Sequence, residues 1–394
     1  MARSRAKGVR PGCESRNLRK DFFAGGRLLY VSSLKLQDFR NIREASLEFS
    51  PGINIFYGEN AQGKTNVLES IYLAGTTKSH RTSRDREMIR IGEEESHIRM
   101  EVVRRAGSFR IDMHLKKNRP KGVAVGGVPL RRAAELFQLV HLVFFSPEDL
   151  GIIKNGPGER RKFLDILLSS IDPIYLKDFS LYQRCLTQRN HLLHDLFARP
   201  ELLPSLDVWD AQLTEIGARI IEKRQTFAAE LETAAASIHE KITGGAEKLT
   251  VTYEPNTAAE TFAEKLRAGR NLDLRMKTTG AGPHRDDFKV SANGLDLRLF
   301  GSQGQQRTAA LSLKLSQIGL LEEKTGERPI LLLDDVLSEL DRGRQTFLLD
   351  SLDHTQTFIT CTGLDEFVEK NFSLDRVFRV DDGKVSAVSH PQLG

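Results

Sequence analysis

No long apolar run occurs in this chain of 394 residues. The longest, Leu142-Val143-Phe144-Phe145 and Ile330 to Leu333, have the length of a strand, far below the roughly 18–20 residues that cross a bilayer. No membrane span is expected. The first 20 residues are basic but lack the apolar core of a secretory signal, which points to the cytoplasm. Cysteine is scarce: Cys13, Cys185 and Cys361 lie too far apart for a Cys-x-x-Cys site, and an odd, sparse set argues for reduced thiols rather than a disulfide framework. His191 and His194 flank Asp195 at i, i+3 with no second cluster to complete a metal site, so they read as a solvated helix face. Neither an internal repeat, a zinc finger nor a base-reading helix is recognisable.

What is present suits one large or two medium globular domains: 39% of residues are strongly apolar, with 31 glycines besides. The net charge of +5 is largely a tail effect, because residues 1–20 carry seven Lys/Arg against one acid. The remainder is close to neutral, so the basic balance says little about partners by itself. Residues 78–132 differ, with 15 Lys/Arg against 7 acids. Arg81, Arg84, Arg104, Arg105, Lys116 and Lys117 are the candidates there for a phosphate-facing surface.

Residues 1–27, rich in Arg, Gly and Ser, are expected to form a disordered basic arm. From Leu28 the apolar positions alternate: Leu34, Leu36 and Phe39, then Leu47 and Phe49, then Ile53, Ile55 and Tyr57. This predicts three strands broken at Asn41 and at Ser50-Pro51-Gly52. A helix follows from about Gly63 to Ala74, with Gly75 placed to end it. Short β-like pieces fill 97–145, and the chain then turns helical for almost a hundred residues. There Leu206, Leu213, Ile220 and Phe227 recur at heptad spacing, giving about three heptads of a short antiparallel arm. A strand at Thr250 to Tyr253, a hairpin at Asn293-Gly294, a helix from Gln303 and strands at Ile330 to Leu333 and Thr357 to Thr360 complete the pattern. The expected organisation is a first ATPase part at 28–150, a helical lobe at 151–245 and a second ATPase part at 246–394.

The fold class follows from the motifs. Gly58-Glu59-Asn60-Ala61-Gln62-Gly63-Lys64-Thr65 fits the phosphate-binding P-loop in full, between a predicted strand and a predicted helix. Backbone N–H groups and the helix N-terminus cradle phosphates, Lys64 reaches the β and γ phosphates, and Thr65 places its hydroxyl on Mg²⁺. The magnesium needs a carboxylate at the end of a neighbouring buried strand, and Ile330-Leu331-Leu332-Leu333-Asp334 supplies it. Asp335 then falls where a base polarises the attacking water. ATP and Mg²⁺ are therefore the expected ligands.

Lys64 and Asp334 lie 270 residues apart, a gap that compact GTPases and kinases do not need. Within it, Ser302-Gln303-Gly304-Gln305 at a helix start resembles the ABC signature, which binds the phosphate of ATP held by a second subunit. Ser338-Glu339-Leu340-Asp341 resembles the D-loop, with Asp341 at the same seam. The order P-loop, signature, acidic strand, D-loop implies an α/β, ABC-type head with a mostly helical second lobe and a short coiled-coil-like arm.

The resemblance narrows to RecF, the SMC-like repair ATPases of bacteria. It rests on Leu34-Lys35-Leu36-Gln37-Asp38-Phe39-Arg40-Asn41, Gln62-Gly63-Lys64-Thr65-Asn66, Lys78-Ser79-His80-Arg81 and Ser146-Pro147-Glu148-Asp149-Leu150. Glu159-Arg160-Arg161, Gly282-Pro283-His284-Arg285-Asp286-Asp287 and the acidic motifs extend it, in family order, from about residue 28 onward. It implies an ATP-dependent homodimer that binds double-stranded DNA, favours gapped junctions, and with RecR and RecO helps load recombinase, with slow, DNA-dependent ATP hydrolysis. It also makes Arg40 and Asn41 candidates for nucleotide contact.

This sequence departs from the patterns in places. Ala61 stands where RecF proteins often have Gly, Asp335 where transporters usually have Glu, and no switch histidine follows Thr360. The last two favour weak turnover. His80 and His284 read as phosphate-contacting or structural groups. The alternative within the superfamily is a head ATPase of a nuclease or chromosome-organising complex, but those carry far longer arms. A transporter subunit is opposed by the arm and the basic 78–132 stretch, and a relic P-loop by intact Lys64, Thr65, Asp334 and Asp335.

Overall fold

The computed structural model describes residues 29–130, 132–352, 354–363 and 375–388. The expected basic arm, Cys13 and Arg131 lie outside the described residues. Strands β1 (Leu29–Phe39), β2 (Ile42–Glu48) and β3 (Ile53–Tyr57) precede helix α1 (Lys64–Thr76). Strands β4 (Glu95–Arg104), β5 (Gly107–Lys116), β6 (Arg119–Val125), β7 (Val128–Pro129) and β8 (Leu142–Phe145) follow. Helices α2 (Gly151–Lys154), α3 (Pro157–Ile171), α4 (Pro173–Asp195) and α5 (Ser205–Thr243) come next, then β9 (Leu249–Glu254) and α6 (Phe262–Met276). The chain continues through β10 (Asp287–Ala292), β11 (Leu295–Asp296), α7 (Leu297–Phe300), α8 (Gln303–Thr325), β12 (Ile330–Asp334) and α9 (Arg342–Asp350). It closes with β13 (Thr357–Cys361), β14 (Arg376–Asp381) and β15 (Lys384–Ala387).

Among the described residues these strands form two six-stranded sheets and one three-stranded sheet. The first is antiparallel, in the order β2-β1-β4-β5-β6-β7. The second, β15-β14-β3-β13-β12-β8, is parallel from β14 to β8 and carries the P-loop. Every residue of β12 is buried, as a parallel strand covered on both faces must be. The period of two divides its neighbours between two cores. Phe56, Phe144, Ile330, Leu332 and Phe358 join α1 and the first sheet. Ile55, Val143, Phe145, Leu331, Leu333 and Ile359 join the helices and the third sheet, β11-β10-β9.

The structure corrects the sequence reading in several places. Gly75 does not end α1, which runs on to Thr76 and stops at Thr77 in the left-handed region (φ 63°). A Cβ on Gly75 would sit 2.3 Å from Leu142 Cδ1, so this glycine instead permits close packing of α1 on β8. The heptad residues Leu206, Leu213, Ile220 and Phe227 are buried, and α5 pairs antiparallel with α4, Lys223 reaching Asp172 at 2.8 Å and Arg189 reaching Asp210 at 2.6 Å, but it also packs on the body of the protein. Its burial continues to His239, which is fully enclosed and bonds Ser312 of α8 at 3.1 Å.

The motifs Glu159-Arg160-Arg161 and Gly282 to Asp287 meet in space and prove structural. Arg160 forks onto Asp287 at 2.6 and 2.9 Å, and Arg161 donates to the Asp286 carbonyl at 2.6 Å. Arg224 of α5, 2% exposed, reaches Asp165 at 2.7 Å, Asp286 at 3.0 Å and the Pro283 carbonyl at 2.6 Å. Tyr253 also donates to Asp286. The buried charges of this network are thus paired and hydrogen-bonded.

His284 belongs to the same scaffold, between Tyr182 Oη at 2.8 Å and the Thr279 carbonyl at 2.9 Å. His80 lies against the ring of Phe144 (centroids 4.0 Å apart). Burial is the largest cause that pushes His80, His141 and His284 from 6.5 to about 4. A base whose folded pKa lies below its unfolded value stabilises fully above the unfolded value, and that stability is lost as pH falls toward the folded one. Thermal midpoints are therefore expected to be flat above about pH 7 and to fall between pH 6.5 and 4, at roughly 3 kcal/mol per histidine. Melts across that range check this; a midpoint unchanged down to pH 5 contradicts it.

Candidate nucleotide site

The P-loop leaves β3 at Gly58, whose φ is 153° and whose missing Cβ would meet the Val380 carbonyl oxygen at 2.2 Å. Ala61 holds a left-handed φ of 64°, a strain on the order of 1 kcal/mol that glycine would not bear. Helix α1 then starts behind Gly63 with no side-chain cap and no acid in its first turn. Its positive end and first N–H groups are left to an anion.

Lys64 is enclosed in the loop, donating to the carbonyls of Gly58 at 2.6 Å and Glu59 at 2.7 Å. Burial lowers its pKa, with Asp335, Cys361 and Asp334 opposing. Thr65 Oγ1 donates to Asp334 Oδ1 at 2.9 Å across 269 residues of sequence, and Thr360 donates to the same oxygen at 2.8 Å. Hydroxyl and carboxylate oxygens so placed fit a hard divalent cation. Burial pushes the Asp334 carboxyl above its usual range; the Thr360 and Thr65 hydrogen bonds oppose this, and nearby Glu148 and Asp335 add to it. Asp335 follows with a left-handed φ of 52°, its N–H donating to Thr360 Oγ1 at 2.9 Å. Ser338 Oγ donates to its carbonyl at 2.8 Å.

Asn41 lies against the P-loop and Arg40 against the helix that follows it. Arg40 forks onto buried Glu69 of α1 at 2.7 and 2.9 Å and donates to the Glu87 carbonyl at 2.7 Å. Asn41 Nδ2 donates to the Gln62 carbonyl at 2.9 Å and its Oδ1 accepts from Asn66 at 2.8 Å. The same Gln62 carbonyl accepts from Gly383 at 3.0 Å, and Gln62 Oε1 accepts from the Asp382 N–H at 2.6 Å. The hairpin β14–β15 therefore braces the P-loop. It escaped the sequence reading, although Asp382-Gly383 is a two-residue hairpin signal and both residues have positive φ (44° and 74°).

Ser302 is the N-cap of α8, in a reciprocal box with Gln305. Ser302 Oγ accepts from the Gln305 N–H at 3.3 Å and Gln305 Oε1 from the Ser302 N–H at 2.9 Å. Ser302, Gln303 and Gly304 are exposed. Asp341 caps α9, accepting from the Arg344 N–H at 3.0 Å. Arg344, which the motifs did not point to, also bonds Thr308 Oγ1 at 2.6 and 2.9 Å, tying α9 to α8.

The basic stretch proves less bare than its count suggests. Arg104 is tied to Glu327, with Nε at 3.0 Å from both oxygens. Lys117 pairs with Glu94 at 2.7 Å, Lys116 lies 3.6 Å from Glu95, Arg81 bonds Asn66 at 3.0 Å and Arg84 lies 3.5 Å from Glu87. Arg81, Arg84, Arg105 and Lys117 remain exposed. His191, His194 and Asp195 are exposed too. Among the described residues, the group whose ligand atoms converge is instead Glu95, His97 and His114.

The family described as RecF/RecN/SMC N terminal domain matches residues 30–386. DNA replication and repair protein RecF of Agathobacter rectalis is 52% identical over 360 residues, covering 91% of this chain and 99% of the relative. The chain belongs to the RecF family. RecF of Lachnospira eligens is 50% identical, again across 91% of this chain and 99% of its own. The recombination mediator protein RecF of the RecFOR pathway, solved as RecF-ATP, superposes with a TM-score of 0.86 at 38% identity, covering 93% of this chain and 99% of that one. An Smc head from Pyrococcus furiosus, at 15% identity over 93% of this chain and 98% of its own, with a TM-score of 0.54, shares the fold. The mixed α/β head anticipated from the RecF motifs is thus the fold observed. No described helix is long and apolar enough to cross a membrane.

Proposed function

We propose that the chain is an ATP-binding ATPase of DNA replication and recombinational repair that works as an ATP-switched clamp on double-stranded DNA. The observation that carries this reading is the Thr65–Asp334 contact at 2.9 Å beneath an uncapped helix N-terminus, which assembles an ATPase site from segments far apart in sequence. Family membership supports the DNA-repair context; RecR and RecO as partners, gapped duplex as the preferred substrate and the cytoplasm as the place of action are part of the proposal.

In this reading the P-loop N–H groups and Lys64 hold the ATP phosphates. Thr65 and Asp334 hold Mg²⁺, which when bound neutralises charge developing on the transferred phosphoryl oxygens. Asp335 orients the attacking water. The exposed Ser302, Gln303 and Gly304, steadied by Gln305, meet the ATP of a second copy, and Asp341 packs at the same seam. Two ATPs thereby join two heads around DNA, and slow hydrolysis releases it. Arg81, Arg84, Arg105 and Lys117 offer exposed cations for the phosphate backbone; Arg104, held by Glu327, and Lys116, beside Glu95, contribute less.

Anisotropy of labelled duplex and gapped DNA, with ATP, ADP or no nucleotide, tests the reading. Tight binding is expected with ATP alone, independent of base sequence and falling steeply as salt rises from about 50 to 200 mM. Equal binding with ADP or without nucleotide overturns it.

A further inference from the structure

The first turn of α8 is held from outside the helix on two sides. On one side Arg344 of α9 reaches the Gly304 carbonyl at 3.5 Å and bonds Thr308, in the second turn, at 2.6 and 2.9 Å. On the other, Gln305 Nε2 donates to Glu247 Oε1 at 2.9 Å. Glu247 lies in the link from α5 to β9, and its second oxygen faces His239 Nε2 at 3.0 Å. His239 is wholly buried near the end of α5, and its Nδ1 returns to α8 at Ser312 Oγ, 3.1 Å away. A closed circuit therefore runs from Ser302 through Gln305, Glu247 and His239 to Ser312 in the middle of the same helix.

The circuit fixes what the turn offers. Gln305 can cap the Ser302 N–H with Oε1 only while its amide keeps one orientation, and the Glu247 carboxylate enforces that orientation by accepting from Nε2. Gln303 and Gly304 are exposed in that first turn, where backbone N–H groups have no intrahelical acceptor and are left for a phosphate. We infer that Glu247 is a positioning residue for the signature turn, coupling the long helix α5 to the ability of that turn to bind nucleotide held by a second copy of the chain. This rests on the two-copy ATP reading above. Glu247 bonds Gln305 of α8 and His239 of α5, so it acts on the signature turn and the pairing of copies rather than on ATP capture by the P-loop.

The test compares the full native chain with Glu247→Ala and Glu247→Gln. ATP binding is read by titration, ATP-dependent mass by sedimentation, and amide exchange at residues 303–306 by mass spectrometry. Glutamine keeps an acceptor for Gln305, and the His239 imidazole can change tautomer to meet its amide. Glu247→Ala is expected to bind ATP within about twofold of native, to dimerise about tenfold more weakly, and to exchange faster at 303–306. Glu247→Gln is expected to recover most of both losses. Dimerisation of Glu247→Ala at native strength, or ATP binding lost in parallel with dimerisation, overturns the inference. If the native chain does not dimerise with ATP, the two-copy reading fails, and exchange at 303–306 still decides whether Glu247 anchors the turn; unchanged exchange overturns it.

Discussion

Asp334→Asn is expected to yield a chain that is more stable than the native one and turns over ATP about a hundredfold more slowly, or worse. The two effects share one cause. Asp334 is 7% exposed, and burial raises its carboxyl pKa, so the ionised form is disfavoured by the fold at neutral pH. An acid whose folded pKa exceeds its unfolded value costs stability once pH passes the unfolded value, and a neutral amide removes that cost. Asparagine still accepts from Thr65 and Thr360, which now hold the Asp334 oxygen at 2.9 and 2.8 Å. The anionic cation ligand is lost, and with it several kcal/mol of charge stabilisation in phosphoryl transfer. Thermal melts without nucleotide and steady-state turnover check the pair. A lower midpoint than native, or native turnover, counts against this placement of Asp334.

Arg224→Met should be the most damaging single change outside the nucleotide site. It leaves Asp165 and Asp286 without the guanidinium that reaches them at 2.7 and 3.0 Å, and Asp286 is only 1% exposed. Removing one partner of a buried ion pair costs about 3–5 kcal/mol, because the charge left behind is uncompensated. In a chain of this size that lowers the midpoint by roughly 4–6 °C. Adding Asp286→Asn should recover part of the loss, because the stranded charge goes with it. Denaturant unfolding of the single and double variants measures this coupling; strict additivity would show that the network does not act as a unit.

The nucleotide site was legible because its chemistry is local. A P-loop must follow a strand and open a helix, and an apolar run ending in acid, common by itself, gains meaning beside it, so Lys64, Thr65, Asp334 and Asp335 stand out in the sequence, and the structure brings Thr65 against Asp334. What escaped depends on contacts between distant segments. Nothing near Arg40 in sequence shows that it forks onto Glu69, or that Thr360 serves both Asp334 and Asp335. The charge of residues 78–132 was counted along one dimension, whereas Arg104 finds its partner Glu327 223 residues away. Helix α6 was missed because it buries little, only Phe262, Leu266 and Asp273, so its apolar periodicity is faint. The heptad spacing of α5 anticipated its antiparallel pairing with α4, but period alone does not show that the same helix also packs on α8 in the body of the protein.

The central claim is that the signature of one copy completes the nucleotide site of another, and the mass of Ser302→Arg in ATP tests it most directly. Ser302 is exposed at the start of α8, so arginine there has room to fold yet blocks a phosphate from the capped turn. The account predicts that the native chain dimerises with ATP, while Ser302→Arg binds ATP with native affinity and remains a monomer. A Ser302→Arg chain that dimerises as the native one does would contradict it.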